Sequence, residues 1–184
     1  MSAFRMLVAC TALTALAAGE TAAAQGSDCL TEREVGSLVT YALPVVMDSA
    51  IKACRPQLSP QGYFATQGPS LVQRYAARKS PAWPDAKAAL LKLGGNDAKM
   101  KDMIASLSDE ALQPFAEGLV AQMVTKGIKP GQCVAIERAT RLLSPLPPEN
   151  TAELLSFVIV LAEKPKMRGA VGAPRKSDLP ICPS

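Results

Sequence analysis

Apolar side chains recur at helical spacing along most of the chain. The clearest stretch opens with Leu30-Thr31-Glu32-Arg33-Glu34-Val35, where Thr31 can cap, Glu34 can close a capping box, and Leu30 and Val35 can staple across it. Val35, Leu38, Val39, Ala42, Leu43, Val46, Ala50 and Cys54 then share one face, which predicts a long first helix with one buried stripe. Pro44 falls on the polar side of that pattern, near Arg33, Thr40, Asp48 and Lys52, and should bend the helix rather than end it.

Turn formers interrupt the pattern from Arg55 to Gly68, and a short helix is predicted from about Pro69 to Arg78. Ser80-Pro81-Ala82-Trp83-Pro84 reads as a second rigid break. A helix over Asp85–Leu93 follows, with Ala86, Ala89, Leu90 and Leu93 on one face, and Gly94-Gly95-Asn96 stops it. A short helix over about Asp97–Ser106 precedes a longer one, which Ser108 can cap and which carries Phe115, Leu119, Met123 and Val124 to Gly127. Pro130 opens another through Leu143, with Glu137 and Arg141 placed as an i,i+4 pair. The last helix runs from Leu146-Pro147-Pro148-Glu149 to about Glu163. Its nearly continuous apolar run, Leu154, Leu155, Phe157, Val158, Ile159, Val160 and Leu161, predicts the most buried element, a central post. No strand partner with alternating pattern is present. The expected fold is all-α, an irregular disulfide-bonded bundle of about six or seven helices.

The first residues do not fit the bundle. Arg5 is followed by an apolar run from Met6 to about Ala18 and by Ala22-Ala23-Ala24, the pattern of a cleaved secretory signal. The competing lipidation box at Leu7-Val8-Ala9-Cys10 would leave too short an apolar region. The expected organisation is a signal peptide over 1–24, one helical domain over 25–163 and a tail over 164–184, in a periplasmic or secreted protein with no transmembrane segment in its mature part. An oxidising compartment makes Cys29, Cys54, Cys133 and Cys182 disulfide candidates. Cys29 and Cys54 flank the first helix and would stand roughly 37 Å apart, far beyond the ~7 Å a disulfide allows. Chain ends often lie close together, which favours Cys29 with Cys182 and Cys54 with Cys133.

Net charge is +4, but residues 25–163 hold equal numbers of acids and bases. The excess lies in Lys164, Lys166, Arg168, Arg175 and Lys176, within a Pro- and Gly-rich segment that reads as flexible apart from its tie at Cys182. These five cations are candidate contacts for an acidic protein surface or an anionic envelope component. Nucleic acid is not expected, because the tail has no interleaved aromatics.

The chain contains no histidine. That removes Ser-His-Asp and Cys-His arrangements, histidine metal sites and the commonest general base. Ser49-Ala50-Ile51-Lys52 matches S-x-x-K but lacks the partner motifs of that chemistry. Gly94-Gly95-Asn96-Asp97 reads as a helix stop rather than an anion nest. Asp97 with Asp102, and Glu149 with Glu153, read as solvated helix faces rather than catalytic pairs. Trp83, held between Pro81 and Pro84 beside Arg78 and Lys79, is a candidate interaction residue, although its size favours a plug between helices. No catalytic residue, cofactor or metal is expected. These features lead to a non-enzymatic binding role towards a protein or cell-envelope component. The alternatives are a carrier of a small apolar ligand, which needs a cavity of about 300 Å³ or more, and a histidine-free envelope hydrolase using two carboxylates.

Overall fold

The computed structural model describes residues 29–94, 98–163 and 179–182. Residues 1–28, with the segment read as a signal peptide, and residues 95–97, 164–178 and 183–184 lie outside them. Among the described residues eight α-helices follow one another: α1 Glu32–Cys54, α2 Tyr63–Thr66, α3 Gly68–Ala76, α4 Lys79–Leu93, α5 Ala98–Ser106, α6 Asp109–Gly127, α7 Cys133–Leu143 and α8 Pro148–Glu163. Short 3-10 turns stand at Arg55–Gln57 and Pro130–Gln132. No strand is present among the described residues, only an isolated parallel bridge between Leu30 and Ile181. The fold is thus the all-α, disulfide-bonded bundle, with the single turn of α2 as an addition.

α1 is the centre of the bundle. It starts at a complete capping box: the Glu34 amide donates to the Thr31 hydroxyl at 3.2 Å, and the Thr31 amide donates to Glu34 Oε2 at 2.8 Å. α3, α4, α6 and α8 all pack against it. Its length and apolar composition would suffice to cross a membrane; here neighbouring helices cover it. Pro44, expected on the polar side, is buried, as is Ser49, because α1 has neighbours on more than one face. Tyr41 is buried as well and meets Trp83 with ring centroids 4.8 Å apart.

α8 is not the central post. Thr151, Ala152, Ser156 and Val160 face the bundle, while Leu154, Phe157, Val158 and Leu161 face solvent. An apolar run states how much a helix has to bury; it does not supply neighbours on every side.

The break expected at Ser80–Pro84 is instead the start of α4. Pro81 is its third residue, where the amide has no intrahelical acceptor to lose. Pro84 lies further in and forfeits one hydrogen bond, and in return the helical path carries Trp83 and Ala86 into the core with Tyr41, Ile104 and Leu112. Ser108 is the N-cap of α6 in an extended conformation, but its side chain makes no capping bond. Glu137 does not pair with Arg141. Its Oε1 accepts from the Phe64 amide at 2.9 Å and so caps α2 from across the bundle, where Gly62 offers no side chain of its own. A Cβ at Gly62 would stand 2.7 Å from that oxygen, so the cap depends on glycine there.

Two disulfides brace the ends of α1. Cys29 is bonded to Cys182 and Cys54 to Cys133, with Cα–Cα distances of 4.9 and 5.3 Å. Beside the first bridge, the Leu30 amide donates to the Pro180 carbonyl, and the Cys182 amide donates to the Leu30 carbonyl at 2.9 Å. Lys92, near the end of α4, closes the same corner by donating to the Cys29 carbonyl at 3.1 Å and pairing with Glu34 at 2.7 Å.

Burial alone would raise the Glu34 carboxyl, but the Lys92 ammonium and the Thr31 amide and hydroxyl outweigh it and hold it below its ordinary value of 4.5. A depressed folded-state value stabilises the protein above pH 4.5, and this contribution fades as pH falls through the folded value. Glu34→Gln is therefore expected to lower stability by about 2 kcal/mol at neutral pH and to flatten the loss between pH 5 and pH 3, as read by denaturant unfolding. An equal acid slope in both proteins would assign the slope to other carboxylates.

Candidate binding surfaces

Six ion pairs form among the described residues, that of Lys92 with Glu34 included. Arg33 pairs with Asp85 at 3.0 Å, Lys52 with Asp48 at 2.6 Å and Lys87 with Asp109 at 2.6 Å. Arg78 pairs with Glu149, and Lys79 with Glu117. Glu117 also accepts from the Tyr41 hydroxyl at 2.9 Å, and Lys79 lies 5.3 Å from the centre of the Tyr41 ring. Burial, reinforced by the Glu117 carboxylate, raises the Tyr41 phenol far above its ordinary value. Tyr41 therefore stays protonated and is no candidate base.

Trp83 is 5% exposed. Burial removes it from any interaction surface and gives it the plug role. Its indole N–H has no hydrogen-bond partner. Asp109 feels that N–H without accepting from it in hydrogen-bonding geometry; the Lys87 hydrogen bond is the main reason the Asp109 carboxyl lies below the ordinary range.

Two concavities among the described residues bear on these candidates. The larger, about 510 Å³, is a groove open to solvent between the first half of α1, the start of α4 and the first half of α8. Glu32, Arg33, Arg78, Glu149 and Glu153 supply its charges, and the pairs to Asp85 and Glu149 occupy both guanidinium groups. Glu149 and Glu153 thus do share a surface, but one of them is committed to an arginine. The smaller pocket, about 240 Å³, is walled by Ile51, Leu58, Pro60, Phe64 and Pro69 with Arg55 beside them. Ser49 is buried and Lys52 is exposed and paired to Asp48, so the S-x-x-K pattern brings no nucleophile and base together. No group of three or more potential metal ligands occurs among the described residues.

The most continuous exposed feature is on α8. Leu154, Phe157, Val158 and Leu161 stand at i, i+3, i+4 and i+7 and are 43–58% exposed. Sequence reasoning found these residues and assigned them to the core; what it lacked was the number of neighbours α8 has. Lys164, Lys166, Arg168, Arg175 and Lys176 lie outside the described residues, between Glu163 at the end of α8 and Leu179 ahead of the Cys182 bridge. Comparison of the chain with family models, curated proteins and solved structures finds no match.

The unpartnered indole N–H predicts an asymmetric response at Trp83. Trp83→Ala should cost about 3–5 kcal/mol by leaving a cavity against Tyr41. Trp83→Phe should cost much less, since no hydrogen bond is lost. Thermal unfolding of both variants is the check, and equal losses would show that the N–H is bonded after all.

Proposed function

We propose that the chain is an exported, disulfide-braced helical protein that works by binding a protein or cell-envelope component, without chemistry on it. The apolar stripe of α8 carries this reading. Four large side chains in register on one solvent face are what a binding helix presents. The two disulfides and the apolar N-terminal segment are compatible with export.

The geometry gives less to the alternatives. A carrier needs an enclosed apolar volume, whereas the groove of about 510 Å³ is open and charged and the apolar pocket beside Phe64 holds about 240 Å³. A carboxylate hydrolase needs a carboxyl raised towards neutrality, whereas Glu34, Asp109 and Glu110 are all held low.

A photoreactive amino acid placed at Phe157 or Leu161 in intact cells is expected to form an adduct with a protein or envelope component. The same group at Gln73, exposed on α3, should form none. The captured protein should begin at Gln25. Leu161→Ser should weaken the adduct while leaving the unfolding temperature unchanged. No adduct from either α8 position would overturn the binding role of this face.

A further inference from the structure

The equal count of acids and bases in the body conceals a separation of charge. No acid occurs between Asp48 and Asp85, and Glu137 alone stands between Glu117 and Glu149. The fold brings these two acid-poor segments together at the end of α1 where Cys54 is bonded to Cys133. Ile51, Cys54, Phe64 and Cys133 pack there, flanked by Leu58, Ile128 and Ile136. The single carboxylate of the region, Glu137, is turned inward onto the Phe64 amide. Arg55, Lys126, Lys129, Arg138 and Arg141 are all exposed, and none forms an ion pair among the described residues.

α7 shapes this end. Its inner arc, Cys133, Ile136, Glu137, Thr140 and Leu143, meets the bundle. Its outer arc holds Val134, Arg138, Arg141 and Leu142, at i, i+4, i+7 and i+8, with Ala135 and Ala139 between them and no carboxylate. Val134 and Leu142 are each 67% exposed, more than any residue of the α8 stripe.

We propose that this end of the bundle docks on the anionic surface of a phospholipid bilayer, with α7 lying in the headgroup plane; the inference rests on the binding role proposed above and names a partner for a second face. Charge complementarity selects the occupant. Five cations without an ion pair among the described residues, around a carboxylate-free helix face, match a negatively charged leaflet, and Val134 and Leu142, on either side of the two arginines, can enter the headgroup boundary. A helix's convex outer face does not enclose a small anion, and it offers no aromatic ring for stacking on a nucleic-acid base.

The test uses the mature, disulfide-bonded protein in cosedimentation with phosphatidylcholine vesicles, with and without phosphatidylglycerol. Binding is expected only with phosphatidylglycerol and should weaken as salt rises. Arg138→Gln and Arg141→Gln should each lower the partition coefficient roughly fivefold, and Leu142→Ser should lower it with less dependence on salt. All three sites are exposed and free of ion pairs, so the unfolding temperature should not move, which separates lost docking from lost folding. A second protein with Lys164, Lys166, Arg168, Arg175 and Lys176 changed to Gln isolates the tail. If that protein alone loses vesicle binding, the α7 surface is overturned and an anionic partner for the tail remains. If no vesicle binds but a photoreactive group at Val134 captures a protein, the bilayer is the wrong partner and the binding role stands. If vesicles, α7 and α8 all give nothing, the binding role falls as well.

Discussion

α1 is fixed at both ends by a covalent bond. Cys29, three residues ahead of it, is joined to Cys182, and Cys54, its last residue, is joined to Cys133. The first bridge closes a loop of 153 residues and the second one of 79, so both strongly restrict the unfolded chain. Leu30, fully buried between the first bridge and the helix, has its amide and carbonyl bonded to the chain's other end. This matters in a protein with only 4% aromatic residues. The core is built from small and medium side chains, and Trp83 against Tyr41 is its one pair of large rings in contact among the described residues. Once α1 is placed, α3, α4, α6 and α8 have only to lay their apolar sides on it.

What was legible in the sequence was what depends on neighbours close in the chain or on simple reach. The Thr31–Glu34 capping box needs four consecutive residues, and it is present. The disulfide arrangement followed from the length of one helix and the nearness of chain ends, and the same pairs are bonded. Burial was less legible because it depends on how many helices surround a given one. α1 and α8 both carry long apolar runs; α3, α4, α6 and α8 all pack on α1, while α8 rests on α1 and leaves a full stripe outside. The prolines around Trp83 misled for a different reason. A proline pair reads locally as a stop, yet Pro81 costs nothing in a first turn, and burying Trp83 favours the helical path through Pro84. The candidate surfaces were half legible: the residues were visible, and which way they faced was not.

The same limit applies to charge. A neutral total describes a surface only if acids and bases are mixed in space. Here several carboxylates are spent where they stand: Glu34 on Lys92, Asp85 on Arg33, Asp109 on Lys87, Glu117 on Lys79 and Tyr41, and Glu149 on Arg78. Each pair neutralises a cation in place, and no carboxylate among the described residues is paired with Arg55, Lys126, Lys129, Arg138 or Arg141. A count along the chain does not reveal those five.

Distance then separates this basic end from the corner at the start of α1. The tail leaves the described structure at Glu163 and returns at Leu179, and Ile181 packs with Leu30, Val35 and Val160 at the start of α1. α7 is bonded to the other end of that helix. The 23 residues of α1 separate the two anchoring points by about 35 Å, while at physiological ionic strength a charge is screened within about 8 Å. Within the α7 end, by contrast, Arg138 and Arg141 are only about 5 Å apart along the helix axis and act on a partner as one patch. The corner where Lys92 and Glu34 close on the Cys29–Cys182 bridge is therefore beyond screening range of the α7 end. Salt or substitution at that corner leaves the field around Arg138 and Arg141 in place, so a partner held by the α7 end is insensitive to the charge of the opposite end of α1.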